Sequence, residues 1–347
     1  MRMKKLGNTG LLVSEICLGA MTFASGEGMW SAIGKMDQST ADALVKDAVD
    51  RGVNFFDTAN VYSAGRSEIL LGESFRNLGL PRDQFVVATK VLGRTGPGAN
   101  QLGLSRYHVL HAIDASLERL KLDHVDLYQI HGHDPLTPIE ETLDALNDCV
   151  RAGKVRYIGV SNHAAWQIAK AIGISQRRGI ARFESVQAYY SLAGRDLERE
   201  IAPLAQDQRL AILPWSPLAG GFLTGKFSRD GKGPQGARRS SFDFPPVDRE
   251  RAFRIMDVAR PIAEAHDASI ARVALAWLLH QAPVTSVIIG AKTREQLADN
   301  LASADLELSA QELKALDEVS ALPAEYPGWM LDRMTSDRAA MVKPRSG

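Results

Sequence analysis

Short apolar runs alternate with amphipathic stretches along almost the whole chain. The runs fall at 16–18, 53–56, 85–89, 125–130, 155–160, 185–188, 211–215 and 286–289. They are short and predominantly apolar, so each reads as a strand buried on both faces, the arrangement of a parallel sheet covered by helices. Between them, 40–50 follows Ser39 as a candidate N-cap, 67–78 opens Ser-Glu, and 107–120 follows Ser105. The stretch 139–151 runs into Ala152-Gly153, and 294–301 follows Thr293. These are helix start and stop signals. Strand–helix alternation predicts right-handed βαβ units, and about eight of them close a (β/α)8 TIM barrel.

Three pieces lie outside the repeat. Residues 6–13, with Gly7-Asn8-Thr9-Gly10, predict a β-hairpin capping the barrel bottom. Residues 220–246 are rich in Gly, Pro and basic side chains, and a connection of that length is expected to be a functional lid or to lack structure. The tail after Ala321 carries Tyr326, Trp329 and Met330, which predicts an extra C-terminal helix or tail packed over the barrel mouth or against a neighbouring subunit. No composition break divides the chain, so 1–347 reads as one α/β domain, with its core at about 6–322 and a tail at 323–347. A doubly wound nucleotide fold would need Gly-x-Gly-x-x-Gly after the first strand, where this chain has Gly19-Ala20-Met21-Thr22.

The formal net charge is zero, which gives no electrostatic case for nucleic acid or a membrane surface as the main partner. Cys17 and Cys149 both sit in apolar patterns and read as reduced core thiols. No run approaches the roughly 18 apolar residues of a membrane span. The opening Met1-Arg2-Met3-Lys4-Lys5 leads into polar residues rather than a signal-peptide core, so a cytoplasmic protein is expected.

The candidate chemistry lies where apolar runs end. Asp57 closes the second run, Tyr62 follows five residues later, Lys90 closes the third and His131 the fourth. In barrels of this kind the C-terminal strand ends carry the active site. A cation beside a phenol stabilises phenolate, and a carboxylate lets that cation be buried. An imidazole N–H can orient a carbonyl oxygen beside the phenol. The set suits proton delivery to oxygen while hydride arrives at carbon. Singly, each residue has a plainer reading: helix cap, rim aromatic, solvated cation, core histidine. Together, all four plain readings would have to hold at once. His131-Gly132-His133-Asp134 also resembles a metal-binding His-x-His, but Gly132 and Pro135 favour a turn, and no metal is expected. Arg238-Arg239 reads as a solvated basic pair.

Local motifs then carry a resemblance. Asp57-Thr58-Ala59-Asn60-Val61-Tyr62, with Gly65-Arg66-Ser67-Glu68 and Leu71-Gly72, resembles the first signature of the aldo-keto reductase superfamily. Ala88-Thr89-Lys90 looks like its lysine strand, and Val125 through His131 like its histidine strand. Gly153 through Asn162 is similar to its fifth strand, and the nearest branch looks like the bacterial, potassium-channel-β-like one. The resemblance implies a barrel that binds NADPH, in preference to NADH, and reduces an aldehyde or ketone. It implies Tyr62 as general acid, Asp57 and Lys90 as its tuners, and His131 as the carbonyl orienter. Ser161, Asn162 and Gln187 would hold the nicotinamide carboxamide, and Trp215 would stack on the ring. Ser216, Leu218, Gly220, Leu223 and Lys226 would line the pyrophosphate, a placement that suits phosphate sites after strands seven and eight.

Gly290, Lys292, Gln296 and Asn300 would form the adenosine end. There Gly290 and Gln296 stand where animal relatives carry lysine and arginine, so Lys292 and Arg294 are the candidates for charge against a 2′-phosphate. Met21, Phe23, Trp30, His133 and the tail residues Tyr326 and Trp329 are candidate substrate contacts, with a hydrophobic or aromatic carbonyl compound expected. Two rivals stand beside this reading: a cofactor-binding regulatory module of the channel-β type, and a metal-dependent barrel hydrolase using His131 and His133. A homo-oligomer is left open.

Overall fold

A computed structural model describes residues 1–23, 36–229, 239, 243–339 and 341. Eight parallel strands form its centre: β3 (Ile16–Gly19), β4 (Phe55–Asp57), β5 (Val86–Val91), β6 (Val125–Ile130), β7 (Val155–Ser161), β8 (Phe183–Tyr189), β9 (Ala211–Trp215) and β10 (Val287–Ile289). They lie in the order β10-β3-β4-β5-β6-β7-β8-β9. The ends of that order meet through a parallel bridge between Ile212 and Val284 and a hydrogen bond from Thr285 N to Ile212 O at 2.9 Å. The sheet therefore curls into a nearly closed (β/α)8 barrel.

β1 (Met3–Lys5) and β2 (Leu12–Ser14) pair antiparallel outside it, Met3 opposite Ser14. Their turn seats Gly7 against the barrel floor, where a Cβ would lie 2.1 Å from Glu184 O, with φ at +57°. Only glycine fits there. Leu6 and Val13 join Cys17, Phe55, Leu127 and Leu213 in an inner cluster that fills the bottom of the barrel. The expected hairpin cap is present, with its strands just outside the turn residues that signalled it.

Helices surround the barrel: α1 (Gln38–Asp50), α2 (Arg66–Asn77), α3 (Arg106–Leu120), α4 (Ile139–Arg151), α5 (Ala165–Arg178), α6 (Leu197–Gln208), α7 (Arg249–Ala265), α8 (Ile270–His280), α9 (Arg294–Leu301), α10 (Ala310–Ser320) and α11 (Gly328–Ala339). Ser105 and Thr293 cap α3 and α9 as expected. The cap of α1 is Asp37 rather than Ser39, accepting from Thr40 N at 2.9 Å. Helix inner faces pack on the sheet in one large apolar cluster. Among the described residues no helix is long and apolar enough to cross a membrane.

The extra C-terminal helix expected of the tail is present as α11, but the tail aromatics are not packed over the barrel mouth. Tyr326 and Trp329 remain 74% and 46% exposed and pack edge-on against each other, ring centroids 6.2 Å apart. The segment leading to them is tied to α6, through an Arg199–Glu325 ion pair at 2.9 Å and a bond from Arg199 to Pro323 O. These two aromatics do not line the barrel mouth.

Candidate active site

Three strand ends and one turn meet at the C-terminal face. Asp57 is the last residue of β4, Lys90 lies in β5 one residue before its end, and His131 follows β6 directly. Parallel register brings the strand ends level, with Asp57 beside Ala88 and Lys90 beside Gln129. Lys90 is fully buried. Its ammonium donates to Asp57 Oδ2 at 2.5 Å, to Thr58 O at 2.7 Å and to Tyr62 Oη at 3.3 Å. Those three bonds use every proton the ammonium has. Burial pulls the Lys90 pKa down, but the charge of Asp57 and the proximity of Tyr62 outweigh it, so its pKa is raised. A buried charge is tolerated only when paired and hydrogen-bonded in this way.

Sequence reasoning missed part of the carboxylate's support. Gln129 Nε2 donates to Asp57 Oδ1 at 3.1 Å, alongside Gln187 Nε2 at 2.9 Å. Gln129 lies inside an apolar strand run, two residues before His131, and a polar side chain facing a barrel interior was the available signal.

Tyr62 is 8% exposed and borders a cavity of about 440 Å³. His131 borders the same cavity, its ring edge-on to Tyr62 with centroids 5.7 Å apart. Burial, with the Lys90 charge nearby, lowers the His131 pKa from 6.5 to about 3. The imidazole is therefore neutral near pH 7, with one N–H to donate. A sign follows for stability. Between about pH 6.5 and 3 the unfolded chain binds a proton at His131 that the folded chain refuses. Stability then rises with pH over that window and falls as the solution is acidified. His131→Gln is expected to flatten the acid limb by up to about 1.4 kcal/mol per pH unit. Urea unfolding midpoints between pH 5 and 7 check this; parallel slopes in the two proteins would refute it.

Asn162, Gln187, Trp215, Ser216 and Gly290 also line the cavity. Asn162 Nδ2 donates to His131 O at 2.8 Å, and its Oδ1 accepts from Trp215 Nε1 at 3.1 Å. Trp215 packs parallel to Phe244 and tilted against Tyr189. Ser161, at the end of β7, has a buried Oγ without a hydrogen-bond partner among the described residues. Ser216 Oγ accepts from Gly220 N at 2.9 Å. Leu218 is half-buried, and Lys226 is exposed. Leu223 is 1% exposed and packs in the main core, outside the cavity lining. At the far end Lys292 N donates to Gln296 Oε1 at 2.9 Å, and Asn300 Nδ2 to Gly290 O at 3.3 Å.

Several expected roles need correction. Phe23 is fully buried in the core rather than in the cavity wall. His133 is exposed and meets His163 edge-on at 5.7 Å, outside the cavity lining. The turn it occupies is tied by Asp134, which accepts from Leu104 N and Thr137 Oγ1, each at 2.7 Å. Arg239 is not solvated. It is buried, donates to Ala219 O at 2.7 Å and Pro245 O at 2.9 Å, and pairs with Asp243. Arg294 holds Asp47 bidentately at 2.6 and 2.7 Å. Met21 does line the cavity. Trp30 and Arg238 lie outside the described residues.

Comparison with known proteins agrees with this architecture. Residues 15–321 match the Aldo/keto reductase family. An uncharacterized oxidoreductase, YrpG, of Bacillus subtilis is 37% identical, over 90% of this chain and 94% of its own. Versiconal hemiacetal acetate reductase of Aspergillus parasiticus is 34% identical, over 94% and 99%. A probable voltage-gated potassium channel subunit beta of Arabidopsis thaliana is 35% identical, over 88% and 92%. With that match over most of its length, and with these relatives, the chain belongs to the aldo/keto reductase family.

Proposed function

We propose that this single-barrel protein is a cytoplasmic NADPH-dependent reductase of small aldehydes or ketones, with Tyr62 as general acid. The observation that carries the reading is the Lys90 ammonium 3.3 Å from Tyr62 Oη, at the wall of a cavity that His131 shares. The bound cofactor would supply the hydride. Tyr62 gives its proton to the carbonyl oxygen, and Lys90 stabilises the phenolate left behind. Asp57 keeps Lys90 charged and in place. Neutral His131 donates its N–H to the same carbonyl oxygen as negative charge develops there.

The residues present suit a nicotinamide dinucleotide. Ser161 brings a buried hydroxyl, without a partner among the described residues, to the strand end beside Asn162 and Gln187, where a carboxamide would be held. Gly220 and Gly221 are left-handed, and nothing lies within 4 Å of a Cβ at Gly221, so the backbone there can approach phosphate closely. Met21, Val61, Ile288 and Phe244 give the cavity an apolar wall, which favours a hydrophobic substituent on the carbonyl carbon.

In this reading Lys292, exposed beside Gln296 and near Asn300 at the adenosine end, meets the 2′-phosphate. Lys292→Ala is expected to weaken NADPH binding about tenfold or more and NADH binding little, the size of a charged hydrogen bond. Fluorescence titration with each cofactor checks this, and equal losses would refute it.

NADPH oxidation by an activated aromatic aldehyde tests the function, with deuterium from labelled cofactor expected on the alcohol carbon. Relatives named as channel β subunits favour one second reading, a regulatory module with weak turnover. NADPH binding without turnover across a broad carbonyl panel would favour that reading.

A further inference from the structure

The motif Gly65-Arg66-Ser67-Glu68 has no part in the chemistry above, yet it builds the turn that carries Tyr62. In that turn Ser63 (φ 48°, ψ 43°) and Ala64 (φ 55°, ψ 39°) are both left-handed, followed by Gly65 at φ 88°. Two consecutive residues with a Cβ in that region are strained, and such strain persists only where the surroundings over-determine it.

The surroundings converge on one carboxylate. Arg119, from α3, lies across Gly65: a Cβ there would fall 2.7 Å from its Cδ and 2.8 Å from its Nε. Arg119 Nε donates to Glu68 Oε2 at 2.7 Å, and the Glu68 side chain is fully buried. Glu68 Oε1 accepts from Thr89 Oγ1 at 2.5 Å, and Thr89 precedes Lys90. Ser67 Oγ, in the same motif, donates to Ala20 O and meets Thr58 Oγ1. One ion pair, its carboxylate buried and its guanidinium partly exposed, thus joins the Tyr62 turn to the strand that presents Lys90.

We propose that Glu68 and Arg119 are a positioning pair that sets the separation of Tyr62 Oη from Lys90 Nζ. An ion pair whose arginine is partly exposed contributes little net stability, so stability alone is a weak reason for it. The inference rests on the reading of Tyr62 as the acid, and its test separates the two.

Two full-length variants serve. Arg119→Lys keeps the buried carboxylate paired but loses the planar fork over Gly65. Glu68→Gln/Arg119→Met removes both charges together. The first readout is the ionisation of Tyr62, followed by NMR of tyrosine labelled at Cζ and assigned by its loss in Tyr62→Phe. The titratable groups around the phenol are Lys90 and Asp57 from the strands, with the neutral imidazole of His131 beyond β6. A phenol moved away from Lys90 ionises at higher pH, so the midpoint is expected to rise in both variants. The second readout is kinetic. A loss of about tenfold in kcat, with KM values within about threefold, is expected in the wild-type background, and no further loss in Tyr62→Phe. An unchanged ionisation midpoint, or equal losses of kcat in both backgrounds, would overturn the proposal. Wild-type turnover by Tyr62→Phe alone would instead remove the acid assignment, and the midpoint would still decide the positioning role.

Discussion

Tyr62→Phe is expected to lower kcat by about a hundredfold to ten-thousandfold, the range of a positioned general acid. The substitution deletes one hydroxyl and leaves the ring. That ring keeps its edge contact with His131 and stays near the Lys90 ammonium, 4.9 Å from the centroid. Lys90 loses one acceptor but keeps Asp57 and Thr58 O, so the buried charge remains held. Cofactor affinity and thermal stability should therefore change little, which makes the loss one of transition-state stabilisation alone. A second signature follows from protonation. The wild-type rate should fall at alkaline pH as the phenol loses its proton, whereas the residual rate of Tyr62→Phe should lack that limb. Stopped-flow reduction of one bound aldehyde at several pH values measures both. Equal rates in the two proteins would mean that another group delivers the proton.

The parts of this molecule legible in the sequence are those where a local pattern has one physical solution. Residues 211–215 are apolar throughout at strand length, and residues 125–130 are apolar but for Asp126 and Gln129; strands occupy both stretches. Thr293 and Ser105 sit before amphipathic stretches and cap them. The convergence of Asp57, Tyr62, Lys90 and His131 was readable because βαβ topology places the strand ends together. Other elements were obscured. Helix α8 is buried nearly all round, so it lacks the polar stripe that marks a surface helix. Helices α6 and α7 contain Pro203 and Pro261, which read as breaks. Asp37 competes with Ser39 two residues away, and either side chain can cap. Phe23 was misplaced because an apolar residue after a strand can turn outward to the mouth or inward to the core. Arg239 and Arg294 were beyond any sequence reading. Their partners, Ala219 O with Pro245 O and Asp47, are set by tertiary contacts. Gln129 differs, since a polar residue inside a strand run marked it, but its partner Asp57, 72 residues away, was not legible.

Lys90→Met should cause the largest loss of stability of any single change in the site. Methionine fills similar volume, so the effect is electrostatic rather than a cavity. Asp57 is 3% exposed and would keep only Gln129 and Gln187 as side-chain donors to Oδ1, with Oδ2 losing its cation. Breaking a buried pair by removing one partner costs about 3–5 kcal/mol, because the other charge stays buried and uncompensated. Removing both charges should undo most of that cost, so Asp57→Asn/Lys90→Met is expected to unfold at nearly the wild-type denaturant midpoint. Activity should not follow stability. Neither variant has a cation beside Tyr62, and both should remain at the level of Tyr62→Phe or below. The pH dependence has a definite sign. The folded pKa of Lys90 lies above its ordinary 10.5, so its contribution is fully present below that value and is lost as pH rises through the folded one. The gap between wild type and Lys90→Met should therefore be constant from neutral pH to about 10 and narrow above it. Guanidinium unfolding of the three proteins measures all of this. A single variant as stable as the wild type would mean that Asp57 is neutral when buried, and the ammonium would then need another reason to sit 3.3 Å from the phenol.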